Sequence, residues 1–452
     1  MNHEVKPSAP LVGWVGDDFT GSAAVMEALT FAGLPAMLFL DAPDAARLQL
    51  AEGMAGIGIA TMARTRSPDW MDAHLPDLFS RVRATGAELV QYKVCTTLDS
   101  APHVGSIGRA MEIGLRTFGG VTVPIVIAAP VMRRYQAFGN LFAAGPGGVS
   151  RLDRHPVMSR HPVTPMDEAD VARHIARQTD LPLQVMDVEA LADPGSAAER
   201  MRDAGGPRGW CLDQMGPAEE AAAGRLIWEG RRQNPFVVGS QGIEYALIRH
   251  WRQTGRIGPA PAPARLNRAE RMAVVSGSVS PVTAAQIDAA EADGFAVLRL
   301  DAMAVAEGAE RAAVDAAVAA ASAALGRGAI PLVCTARGPD DPEVARLTAR
   351  LAGKDGAEAN ARIGRALGAV LARLVAAHDL RRVVVSGGDT SGEVCTALGI
   401  HALTALAPTI PDAAICRAHA DGAVDGLEIA LKGGQMGSDD YFAWVRDGGG
   451  AR

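Results

Sequence analysis

Short apolar runs alternate with helix-period segments over almost the whole chain, and this alternation constrains the fold more than any other feature. Runs of strand length occur at 11–16, 35–40, 54–60, 88–94, 121–129, 182–187 and 235–239, then at 271–275, 295–300, 330–334, 381–385 and 427–431. Helical patterns fill the gaps at 21–33, 68–85, 104–117, 167–179, 216–230, 241–254, 281–293, 308–326, 358–378 and 390–399. Strands that read as continuous apolar runs are buried on both faces, which is the signature of a parallel sheet covered by helices. The expected class is therefore α/β. Segment 256–267, RIGPAPAPARLN, is rich in proline and alanine and reads as an extended spacer. A fresh strand–turn–helix series starts right after it. The expected organisation is a domain over 1–255, a linker over 256–267 and a second domain over 268–452. Each is expected to be a mainly parallel sheet flanked by helices, with an active site in the cleft between the domains.

Composition narrows the partners. Aromatic residues make up 4% and the formal net charge is −7. A single-strand stacking platform needs rings, and nucleic-acid or membrane-surface binding needs a basic face. No nucleic-acid or membrane partner is expected. The five cysteines are scattered, with no C-x-x-C pair, which argues against a disulfide framework and a standard zinc site. The first residues do not read as a signal peptide, and no long uncharged apolar window is present, so a cytoplasmic setting is expected. H-E-x-x-H, G-x-S-x-G and a Rossmann G-x-G-x-x-G after the first strand are all missing.

In open α/β sheets, ligands bind beyond the carboxyl ends of the strands. Four loops there carry chemistry. The first is Gly16-Asp17-Asp18-Phe19-Thr20-Gly21-Ser22. Its glycine spacing approaches that of a phosphate loop, but the lysine is missing, and two adjacent carboxylates repel a polyphosphate. Acids here suit sugar hydroxyls, a Mg²⁺ ion or proton acceptance. Asp18 or Thr20 also fits a helix cap, which accounts for one acid but less well for two. The second loop, Ser276-Gly277-Ser278-Val279-Ser280-Pro281, lets backbone N–H groups approach an anion. The third, Ser386-Gly387-Gly388-Asp389-Thr390, can form an N–H nest, with Asp389 as a metal ligand, a base or a cap. The fourth, Lys432-Gly433-Gly434, sets a lysine beside glycines, as a phosphate neighbour or an ordinary turn.

Basic groups gather in the first half. Arg64 follows the run 54–60, and Lys93 ends the run 88–94. A lysine among apolar strand residues needs a partner or a ligand, and Asp17, Asp18 and Asp99 are its candidate partners. Residues 151–166, which include Arg160, form a proline-rich cationic segment suited to a carboxylate or to a subunit contact. Cys95 reads as a packed residue rather than a nucleophile.

Taken together, the stretches GDDFTGS (16–22), ARTRS (63–67), YKVCTTLDS (92–100), GSIGRA (105–110), RHPVTPM (160–166), GSQGIEYAL (239–247), VSGSVSPVTAAQI (275–287), SGGDTSG (386–392) and LKGGQMG (431–437) resemble the four-carbon acid sugar kinases. These phosphorylate tetronates and 3-oxo-tetronates with ATP. The stretches occur in the family's order over nearly the whole chain. The resemblance implies an N-terminal substrate domain, a C-terminal nucleotide domain, and ATP with Mg²⁺. On it, Asp17 and Asp18 meet substrate hydroxyls, with one of them or Asp389 in a catalytic role. Arg64, Lys93 and Arg160 are assigned to the sugar acid. Ser276, Gly277, Ser278, Gly387, Gly388, Asp389, Thr390, Lys432, Gly433 and Gly434 are assigned to ATP. Two departures stand out. The chain has Lys-Gly-Gly-Gln-Met-Gly where the family often has Lys-Ser-Gly-Asn-Phe-Gly, and Asp389 where a glutamate is frequent. The rival readings are a non-catalytic sensor of sugar acid and nucleotide, and a nucleotide-independent lyase or isomerase. The substrate's stereochemistry, the base, the metal ligands and the oligomeric state stay open.

Overall fold

A computed structural model describes residues 9–145, 147–161, 163–202, 205–351 and 356–452, without the side chains of Ala357 and Asp389. The chain divides between Pro261 and Ala262 into two compact units, inside the Pro/Ala segment.

The strands of the first unit are β1 (Val12–Gly16), β2 (Ala36–Phe39), β3 (Gly56–Ala60), β4 (Leu89–Lys93), β5 (Thr122–Val126), β6 (Arg134–Ala137), β7 (Asn140–Gly145), β8 (Gly148–Arg151), β9 (Leu183–Met186), β10 (Arg208–Leu212) and β11 (Phe236–Gly239). Its main sheet runs β2-β3-β1-β4-β11-β5-β10-β9, with every pair parallel. Strands β1 to β5 and β11 are buried along their length, as apolar strands covered on both faces must be. The chain leaves β1 toward β2 and β3 on one side, then crosses back to β4 on the other. That reversal opens a crevice between the ends of β1 and β4.

The second unit holds β12 (Met272–Ser276), β13 (Ala296–Arg299), β14 (Pro331–Cys334), β15 (Arg382–Ser386), β16 (Ile400–Ala407), β17 (Ile415–Ala420) and β18 (Glu428–Lys432). Its order is β13-β14-β12-β15-β18-β17-β16, parallel as far as β18 and antiparallel beyond. The direction of winding reverses between β12 and β15.

Helix starts follow local chemistry. Asp18, Ser67, Ser106 and Ser280 cap the helices Phe19–Phe31, Pro68–Ala84, Ile107–Phe118 and Pro281–Ala292, two of which carry proline in the first turn. Each unit has its own apolar core. One centres on Val15, Tyr92, Ile125 and Val238, the other on Val274, Leu332, Val384 and Ala430.

Several elements differ from the sequence reading. The hairpin β6–β7, closed by Phe138 and Gly139 at φ 47° and 78°, belongs to a small separate antiparallel sheet with β8. β10, β16 and β17 are also additional. The helix expected over 167–179 shrinks to Val171–Ala176, capped by Asp170. No helix among the described residues is long and apolar enough to cross a membrane.

Candidate active site

The loop after β1 meets the loops after β3 and β4. Asp17 N donates to Lys93 O, and Arg64 N donates to Asp17 O, both at 2.9 Å. These backbone bonds place the Arg64 guanidinium over the acid loop. Its Nη2 reaches Asp17 Oδ1 at 2.8 Å, its Nε reaches Asp17 Oδ2 at 3.2 Å, and its Nη1 reaches Asp18 Oδ2 at 2.9 Å. Most of the Arg64 fork is thus engaged by the acids, rather than facing outward toward a ligand.

The two aspartates have different duties. Asp18 caps the helix Phe19–Phe31, accepting from Gly21 N at 3.0 Å and from Thr20 Oγ1 at 2.9 Å. Asp17 caps nothing and is buried. Burial is the main influence on Asp17 and raises its carboxyl to about 6; the Arg64 charge opposes this and the Asp18 charge adds to it. On Asp18 burial also acts upward. The charges of Arg64 and Lys93, with the bonds from Thr20 and Gly21, outweigh it and hold that carboxyl below the usual aspartate range. Neighbouring carboxyls pushed apart in this way are the pattern of an acid–base site.

Lys93 is also buried, and its Nζ donates to Val94 O at 2.8 Å. Among the described residues, no carboxylate lies within ion-pair distance of it, so the pairing with Asp17, Asp18 or Asp99 does not form. Gly21 makes room for it: a Cβ there would lie 2.3 Å from Asp18 Oδ1 and 2.8 Å from Lys93 Nζ. Asp17, Asp18, Arg64 and Lys93 are therefore brought together. Arg160 is not among them by any contact. It is exposed in the turn Met158–Arg160, which Met158 fastens to the core. Burial pushes the Cys95 thiol up, away from an activated thiolate.

In the second unit, the three glycine loops follow adjacent strands. Gly277 N donates to Ser386 O at 3.1 Å, and Gly387 N to Lys432 O at 2.9 Å. Thr283 is the knot between them. Its Oγ1 lies within hydrogen-bond distance of Gly434 O at 2.9 Å and of Ser278 Oγ at 3.0 Å, and its single O–H proton serves one of them at a time. The packing leaves no room for side chains: a Cβ on Gly434 would lie 2.3 Å from Ser278 Oγ, and one on Gly277 would lie 2.3 Å from Thr390 Oγ1. Gly387, at φ 127°, turns the chain into the helix Gly388–Ala397. The Asp389 side chain lies outside the described residues.

Lys432 is fully buried beneath these loops. Its Nζ donates to Gly433 O at 3.0 Å and to Thr283 Oγ1 at 3.3 Å, and no carboxylate among the described residues pairs with it. Burial lowers its ammonium to about 8. The buried Ser276 Oγ likewise has no partner among the described residues. A buried cation and an orphaned hydroxyl beneath glycine-lined strand ends fit an anionic, phosphate-bearing ligand. The described residues contain no group of three acidic, histidine or cysteine side chains able to hold a metal. A magnesium ion carried on phosphate oxygens needs only one or two carboxylates and fits without such a group.

Sequence reasoning passed over two sets of buried polar residues at strand ends. Gln136 Nε2 and Gly139 N donate to Asp213 Oδ1 at 3.0 and 3.1 Å beyond β10, beside a buried Gln214 whose amide has no partner among the described residues. Glu244, just after β11, is buried with both carboxyl oxygens unpartnered among the described residues. Asp213 and Gln214 look like ordinary turn residues in sequence, and Glu244, although it lies inside the stretch 239–247 that carries the resemblance, looks like an ordinary helix-start acid.

Comparison with known proteins finds two family models along the chain. Residues 12–247 match the family model for a sugar-binding N-terminal domain, and residues 273–442 that for a nucleotide-binding C-terminal domain. The chain is 46% identical over 448 residues to a 3-oxo-isoapionate kinase from Paraburkholderia graminis, covering 98% of this chain and 95% of that protein. It is 32% identical to a 3-oxo-tetronate kinase from Methylobacterium radiotolerans, covering 96% of this chain and 98% of that one. A crystal structure from Salmonella typhimurium LT2 shares the fold, with a TM-score of 0.79 at 23% identity, over 96% of this chain and 98% of its own. With one family model on each unit and similarity along nearly its full length, the chain belongs to the four-carbon acid sugar kinase family.

Proposed function

We propose that this protein is an ATP- and Mg²⁺-dependent kinase that phosphorylates the terminal hydroxyl of a four-carbon acid sugar or a close 3-oxo sugar acid. The observation that carries the reading is the acid pair on one guanidinium, in which burial raises the Asp17 carboxyl to about 6 while Asp18 is held below the usual aspartate range. Asp17 accepts the proton of the attacking hydroxyl. Its raised carboxyl suits a base that must be free near neutral pH and still bind a proton in the transition state. Asp18, fixed by its capping bonds, accepts from a second hydroxyl and orients the polyol. Arg64 is a positioning residue, which keeps both acids in place. Lys93 supplies positive charge for the substrate carboxylate, and Arg160 is an outer candidate for the same anion.

ATP lies against Ser276, Gly277, Ser278, Gly387, Gly388, Asp389, Thr390, Lys432, Gly433 and Gly434. The backbone amides and the Lys432 ammonium hold its phosphates, and Asp389 is the candidate ligand for a magnesium ion that would, when bound, neutralise phosphate charge. Phosphoryl transfer relies mainly on such positioning and charge neutralisation. Both named relatives act on 3-oxo sugar acids, which sets the substrate panel. The test is a coupled ADP-release assay over tetronates, 3-oxo-tetronates and 3-oxo-isoapionate, with and without Mg²⁺. Magnesium-dependent ADP release with at least one of these acids is expected. Binding of both ligands without ADP release would instead indicate a sensor.

A further inference from the structure

Glu244 stands in the first turn of the helix Gly242–Gln253, directly after β11, and is completely buried. An acid at a helix start is ordinarily a surface group facing the helix dipole. Here neither carboxyl oxygen receives a hydrogen bond from a described residue. Gln91 and Lys93 approach it from one face of β4. Gln91 directs its amide nitrogen at Gly239 O and Ser240 O, at 3.0 Å each, so both N–H donors are spent. Its Oε1 has no partner among the described residues. An ionised Glu244 would therefore set acceptor against acceptor in a dry interior. A buried carboxyl in that position takes a proton instead. One proton turns Glu244 into a donor, and Gln91 Oε1 is the orphaned acceptor beside it.

We propose that Glu244 is held as a neutral carboxylic acid beside Lys93, and that this leaves the Lys93 ammonium undivided for the acid loop and for the carboxylate of a sugar acid. The proposal rests on the role given to Lys93 above. Few charges surround Glu244. Lys93 is the cation acting on it, and the same cation acts on Asp17 and Asp18. On the two helices packed against its own, Glu220 is paired with Arg249 at 2.6 Å, and Glu27 is buried. Burial is the dominant influence and raises the Glu244 carboxyl to about 8, outweighing its own backbone N–H, the Lys93 charge and the Gln91 amide, which all oppose it. Deprotonation at alkaline pH would give Lys93 an internal counter-charge. Its hold on an anionic ligand would weaken.

Two measurements test this on the full chain. Infrared spectra with carbon-13 glutamate should show a neutral-carboxyl band at pH 7 that disappears through the alkaline range and is missing in Glu244→Gln. Glu244→Asp removes the labelled band equally if the glutamine variant does not fold. KM for the sugar acid should rise above about pH 8 in the parent chain. In Glu244→Gln that alkaline rise should vanish. Absence of the band at pH 7, or an alkaline rise that survives in Glu244→Gln, overturns the proposal. A Lys93→Met variant with unchanged KM defeats the role assigned to Lys93, whereas the infrared band judges Glu244 without reference to activity.

Discussion

At the scale of the residue, Asp17 and Asp18 are adjacent in sequence and opposite in circumstance. Asp18 has capping and guanidinium bonds to hold its charge, whereas Asp17 pays for burial with a carboxyl near 6. A base must be deprotonated before it can act. The kcat/KM for the sugar acid should thus fall about tenfold per pH unit below about 6 and level off above it. Asp17→Asn should lower turnover about 10²- to 10⁴-fold while leaving ATP binding intact, as steady-state kinetics and nucleotide titration will report. Arg64→Ala should strand the buried Asp17 carboxylate beside a partly exposed Asp18, and removing the partner of a buried charge costs about 3–5 kcal/mol, measurable by urea unfolding. The acid loop was legible because two carboxylates at a strand end exceed what one cap requires. The direction of the Arg64 fork was not, since it depends on a backbone bond across 47 residues. Glu244 escaped notice for the opposite reason: in sequence it is an unremarkable first-turn acid, and only burial makes it chemically unusual.

At the scale of the element, the proposed nucleotide site is three loops tied by Thr283 above one buried lysine. Burial without a counter-charge lowers Lys432 to about 8, and a bound triphosphate would raise it again. Nucleotide binding should therefore take up a proton at pH 8 to 9, and affinity should decline as pH rises through that range. Calorimetry in buffers of different ionisation enthalpy will measure the uptake, and Lys432→Met should abolish it together with about tenfold or more of the affinity, the scale of one charge-assisted contact. These loops could be read from sequence because glycine, serine and proline mark strand ends and helix starts. The buried parallel strands were readable as uninterrupted apolar runs. The missing strands lack that signature. β6 to β8 are short and half-exposed, β10 begins with arginine and glycine, and β16 is rich in alanine and leucine, which carry little strand signal. Each forms because a neighbour supplies its ladder, which is information a local window does not contain.

At the scale of the whole molecule, both units use the same device: a parallel sheet whose winding reverses, with three candidate ligand loops at the ends of strands at and beside the reversal. The first unit fills that crevice with acids and a clamped arginine, the second with backbone amides and a buried lysine. On the proposed assignment, this difference in lining, rather than in architecture, separates a polyol site from a phosphate site. Every residue assigned to ATP lies after Ala262, and so do all members of the second apolar core. Folding and nucleotide recognition of that unit thus draw on its own strands. A chain comprising residues 262–452 should fold cooperatively and bind ATP within about tenfold of the full-length affinity, with the same proton uptake attributed to Lys432, because 1.4 kcal/mol or less would then separate the two. It should release no ADP with any sugar acid, since Asp17 and its partners are absent. Loss of nucleotide binding in a piece that circular dichroism shows to be folded would mean that residues before Ala262 help to hold ATP, and the assignment of the two ligands to separate units would have to be redrawn.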